Sequence, residues 1–73
     1  MSNLINLKPG ENAIIVKIEG GRGIRQKLYL RGVLEGSLIR VISCNPGPVV
    51  LEVDRSTVAI GKGMAQKIMV NRR

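Results

Sequence analysis

Asn45-Pro46-Gly47-Pro48 is the strongest turn signal in the chain, and it dictates how the residues around it fold. Proline has no N–H to donate and holds φ at about −65°, so neither a helix interior nor a central strand passes through this stretch. The flanking runs must therefore be short elements that meet at a reversal. Leu38 to Ser43 (LIRVIS) reads as one strand, with Ile39 and Val41 inward. Val49 to Asp54 (VVLEVD) reads as the next, with Val49, Leu51 and Val53 on one face and Val50, Glu52 and Asp54 on the other. Arg55-Ser56 then turns the chain into a short strand, Thr57 to Ile60.

The rest of the sequence follows the same rhythm. Asn6 to Glu11 opens with a Pro9-Gly10 turn and leads into a β-branched strand, Asn12 to Glu19. Alternation separates Ile14, Val16 and Ile18, taken as the core face, from Ala13, Ile15, Lys17 and Glu19. Gly20-Gly21-Arg22-Gly23 breaks that strand. Ile24 to Arg31 is rich in helix formers and predicts a helix of about two turns. Gly32 stands where a helix-terminating glycine belongs, just after an arginine that suits the helix dipole. Leu28 and Val33 are expected in the core, because so short a helix persists only by packing. Glu35-Gly36-Ser37 is a turn. Gly61-Lys62-Gly63 interrupts the chain, Met64 to Lys67 suits one helical turn, and Ile68 to Val70 reads as a last strand. Residues 71–73, with Arg72 and Arg73, are expected to fray. Five short strands and one helix predict a single domain over residues 1–73, a small closed antiparallel barrel in which closure removes the edges.

Composition excludes much chemistry. The chain has no His and a single Cys, so it can form neither an internal disulfide nor a Cys/His zinc site, and no His acts as a base. No apolar run approaches the ~20 residues that span a bilayer, and no signal-peptide core is present. The charge sum of +7 calls for an anionic partner: an acidic protein face, nucleic acid or a headgroup layer. Tyr29 is the only aromatic ring, which leaves no stacking platform for single-stranded nucleic acid.

Four features are candidates for function. Glu52 and Asp54 share a strand face, a spacing that can hold a hard cation but equally describes a solvated outer face. Cys44 beside a turn is a potential thiolate ligand, or a small semi-buried filler. The glycine run before the helix could present N–H groups to an anion, yet lacks the spacing of phosphate loops, and a glycine corner explains it as well. The densest positive patch is Arg22, Arg25, Lys27 and Arg31, which could dock an acidic partner or follow phosphates.

With the elements in this order, the chain resembles the ferrous-iron transport protein A (FeoA) family over about Leu7 to Val70. The resemblance is carried by IIVKIEGG, RQKLYLRGVLEGSLIRV, GPVVLEV and AIGKGMAQKIMV, most tellingly by Leu28-x-x-x-Gly32-Val33-x-x-Gly36-Ser37. In the family that turn often carries a proline where this chain has Glu35. The resemblance implies an SH3-like barrel and a non-enzymatic, cytosolic accessory protein of bacterial ferrous-iron uptake. It implies as partner the cytosolic side of the membrane transporter FeoB, and no cofactor. The same barrel resembles the C-terminal domain of iron-dependent repressors, so fold alone does not assign function. From the patch itself, the expected contact surface comprises Arg22, Arg25, Lys27, Tyr29, Leu30, Arg31 and Leu34. The competing readings are a small basic nucleic-acid-binding barrel, and a metal carrier that assembles ligands from several copies.

Overall fold

The computed structural model describes residues 1–73, and its β-branched runs do become strands. Six strands, β1 (Ser2–Asn3), β2 (Asn12–Ile18), β3 (Leu38–Ser43), β4 (Val49–Val53), β5 (Ser56–Ile60) and β6 (Ile68–Arg72), form one antiparallel sheet in the order β1-β6-β2-β3-β4-β5. Helix α1 (Arg22–Tyr29) follows β2, and a single helical turn, α2 (Lys62–Ala65), joins β5 to β6. No helix is long and apolar enough to cross a membrane.

The sheet curls around 17 buried residues, all of them apolar. Ile39, Val41, Val49, Leu51 and Val53 point inward, as the alternation of β3 and β4 requires. Leu28 and Val33 are both fully buried and bring α1 onto the same core. Leu4 and Leu7 also belong to it, from a 3-10 turn (Leu4–Asn6) and the residue that follows.

Four expectations need correction. In β2 the inward residues are Ala13, Ile15 and Ile18, while Ile14 and Val16 are only half-buried. The cause is a β-bulge: Ile15 pairs with Val70 and Lys17 with Met69, which leaves Val16 as an extra residue. A bulge resets the parity of alternation, so Ile18 and Ile15 reach the same side.

Asp54 is not a strand residue facing the way Glu52 does. It forms, with Arg55, the two-residue turn between β4 and β5, where φ is +51° and +67°. Positive φ at both central positions defines the type I′ hairpin turn, whose twist matches the strands.

The C-terminal residues, expected to fray, are placed in the sheet. Asn71 and Arg72 pair with Ile14 and Ala13, and the Arg73 N–H donates to the Asn12 carbonyl at 2.9 Å. Arg72 also donates to Glu11 Oε2 at 3.1 Å, Ser2 Oγ at 2.9 Å and the Asn6 carbonyl at 3.1 Å. One guanidinium thus joins the chain's beginning to its end.

Finally, hydrogen bonding does not run all the way round the barrel, because β1 and β5 remain its two ends. At the β1 end, α2 packs on the 3-10 turn, and Asn3 Nδ2 donates to the Gln66 carbonyl at 2.6 Å.

Candidate functional site

Helix α1 organises the surface where the basic patch lies. Gly20 has φ of +107°, a backbone conformation that side-chain-bearing residues rarely adopt, and this lets β2 turn into the helix. Gly21 caps the helix, and Arg22 is already its first residue rather than part of a loop. The helix ends in a Schellman motif around Gly32, whose φ is +81°. The Val33 N–H donates to the Leu28 carbonyl at 2.9 Å, and the Gly32 N–H to that of Tyr29 at 2.9 Å. The motif's apolar contact unites Leu28 with Val33, and both are buried.

Burying Leu28 and Val33 fixes what α1 shows to solvent. Arg22, Arg25, Gln26 and Tyr29 follow helical spacing along one flank. With Ile18, Val33, Leu34 and Glu35 they line an open groove of roughly 540 Å³. Leu30 and Arg31 face the other way, onto a groove bordered by β5. Lys27 lines neither groove. The seven residues expected to form one surface are therefore divided: Arg22, Arg25, Tyr29 and Leu34 stay together, while Leu30, Arg31 and Lys27 lie apart from them. Tyr29, Leu30 and Leu34 are all exposed, at 64%, 76% and 40%.

The cations are not equivalent. Arg25 Nη1 donates to the Ile18 carbonyl at 2.8 Å and to Glu35 Oε2 at 3.3 Å. Glu35 Oε2 in turn accepts the Ile18 N–H at 3.3 Å. That N–H, then the guanidinium of Arg25, hold the Glu35 carboxyl below its ordinary value. Arg31 Nη1 donates to the Ala59 carbonyl at 3.2 Å. Arg22 and Lys27 enter no ion pair and keep all their donors. The sequence patch thus contains two structural arginines and two free cations. Glu35 was legible only as a departure from the usual proline, and its bond to Ile18 spans 17 residues, beyond the reach of local spacing.

The other candidates resolve simply. No three of Asp, Glu or Cys come together in a way that would hold a metal ion. Cys44 is half-buried and packs against the core.

Taken together, the six-stranded sheet, the helix after its first long strand and the groove beside that helix define a small barrel module of SH3-like type. The chain belongs to the FeoA domain family, whose model matches residues 2–72. It is 44% identical over 63 residues to a protein of Methanocaldococcus jannaschii named Fe(2+) transport protein A, covering 86% of this chain and 77% of that one. The crystal structure of an iron uptake regulatory protein (FeoA) superposes with a TM-score of 0.91 at 38% identity, covering 99% of this chain and 96% of the other. IdeR of T. acidophilum matches with a TM-score of 0.91 at 28% identity, over 97% of this chain but 33% of IdeR.

Proposed function

We propose that this chain is an accessory protein of ferrous-iron transport that acts by contact with a FeoB-type membrane transporter on its cytosolic side, without catalysis of its own. Family membership and the transport name of its M. jannaschii relative support the iron-transport part of the reading. The observation that carries the contact is the groove beside α1. Over a floor of buried Ile18 and Val33, the exposed Leu34 stands with the free guanidinium of Arg22 and the exposed phenol of Tyr29. Such a groove suits a partner segment with an apolar side chain next to a carboxylate. It does not suit a proline-rich ligand, which needs a row of rings.

The test is an NMR titration of the isotope-labelled chain with the cytosolic GTP-binding domain of the cognate transporter, with random RNA in parallel. Saturable shifts at Ile18, Arg22, Tyr29 and Leu34 with the GTP-binding domain alone support the reading. Shifts with RNA alone, weakening steeply with salt, replace it with a nucleic-acid-binding barrel.

A further inference from the structure

The sheet has two free ends, and they differ in kind. β1 is two residues long, Ser2–Asn3, and both side chains are bonded, Ser2 Oγ to Arg72 and Asn3 Nδ2 to Gln66. β5 runs for five residues, Ser56–Ile60, with β4 on one side only. The type I′ turn makes Val53 and Ser56 a hydrogen-bonded pair, so Leu51–Val58 and Val49–Ile60 are bonded pairs as well. Thr57 and Ala59, both exposed, then direct their N–H and C=O groups away from the sheet. The bond from Arg31 to the Ala59 carbonyl has the geometry this register requires.

An open edge of this kind is normally guarded by a lysine, a proline, a bulge or an inward charge. Ser-Thr-Val-Ala-Ile has none of these. Along it runs the second groove, roughly 710 Å³, with Leu30, Arg31 and Gly32 as its opposite wall. Arg31 gives one donor to Ala59 and keeps the rest of its fork for an incoming group.

We propose that the β5 edge is a docking site for an extended acidic peptide segment of a partner protein, which adds to the sheet as a further strand. Main-chain bonds form at the N–H and C=O of Thr57 and at the N–H of Ala59, whose carbonyl stays with Arg31, and the rest of the Arg31 fork receives a carboxylate of the segment. Charge selects this occupant. Arg31 stands beside the edge, Arg55 and Lys62 flank the strand in sequence, and Asp54 at the turn is the one acid lining the groove. Glu52, opposite Thr57, faces Arg40 on its other side. A second copy of the chain would bring another +7 to the same edge. The proposal stands apart from the α1 groove and does not depend on what binds there.

The full chain, labelled with nitrogen-15, is titrated with the blocked peptide Glu-Val-Glu-Val-Glu-Val. Controls are the same peptide N-methylated at alternate residues, and its lysine-for-glutamate counterpart. The expected result is saturable binding with slowed amide exchange at Thr57 and Ala59, and none with either control. Arg31→Gln should weaken the acidic peptide about two- to fivefold, as loss of an exposed ion pair does. The proposal is overturned by absence of binding, by saturation with Thr57 and Ala59 exchange unchanged, or by equal binding of the N-methylated peptide. Self-association of the chain through these two amides would give the edge to a second copy, and also overturns it.

Discussion

Arg25 and Glu35 bracket the backbone of Ile18, the arginine donating to its carbonyl at 2.8 Å and the glutamate accepting from its N–H at 3.3 Å. Bonded also to each other, they tie the end of β2, the middle of α1 and the turn before β3 into one unit. Glu35→Ala should therefore loosen more than its own turn. Faster amide exchange at Ile18 and Arg25, together with a lower Tm, is the expected outcome. A double-mutant cycle with Arg25→Ala should show coupling, and additive losses would disprove the bracket.

Leu28 and Leu30 lie two residues apart and differ completely in burial, at 0% and 76%. Leu28→Ala removes a core side chain and should cost about 2–5 kcal/mol in urea unfolding. Leu30→Ala should stay within about 0.5 kcal/mol of the parent. Similar losses for both would mean that α1 is rotated from the orientation described.

The glycines around α1 make opposite predictions. Gly32→Ala places a Cβ at φ of +81° and should cost about 1–3 kcal/mol. Gly20→Ala meets the same kind of strain at φ of +107°, while the tip of the Ile24 side chain can turn aside, so it should cost about as much as Gly32→Ala. Gly23→Ala lies within the helix with open space around it, and should stabilise the protein by up to about 1 kcal/mol. Thermal melts of the three variants should give two decreases and one increase.

Acid should weaken the fold through two carboxylates. The Lys8 N–H, then Arg72, hold the Glu11 carboxyl below its ordinary value of 4.5, as the Ile18 N–H and Arg25 do for Glu35. A depressed folded-state value adds stability that is complete above the ordinary carboxylate range, and that is lost as pH falls through the depressed values. Unfolding midpoints should therefore decline below about pH 5. In a Glu11→Gln/Glu35→Gln double variant the decline should be shallower. An unchanged slope would show that neither group contributes.

The free cation of the α1 groove should govern binding, while its bonded neighbour governs stability. Arg22→Gln should weaken the proposed contact with the transporter's cytosolic domain without moving Tm. Arg25→Gln should lower Tm. Isothermal titration alongside melts would separate the two, and an Arg22 variant that binds like the parent would remove the groove from the reading.

Strands β3 and β4 could be read from sequence because each has one buried face and a turn that halts it. The Schellman stop at Gly32 was equally visible, since it depends on one residue's backbone freedom. Val16 was not: a bulge arises from how β2 meets β6, more than 50 residues later, and both faces of β2 carry apolar side chains. The same holds for Arg72, whose partners lie near the other terminus. The basic patch was found as a cluster, but spacing alone could not show that Arg25 and Arg31 are bound to backbone carbonyls, or that α1 divides the cluster between two grooves.

The place of β6 between β1 and β2 governs when this protein can fold during its synthesis. Strands β2 to β5 are sequential neighbours and can pair as they leave the ribosome. Until Ile68–Arg72 emerges, however, the edge of β2 that β6 will pair has nothing to bond it, and the Leu4–Asn6 turn lacks the strand it packs on. A chain cut before Ile68 would therefore keep the edge of β2 unpaired. Completing the fold waits on loop closure across nearly the whole chain, the slowest kind of contact for a domain of this size.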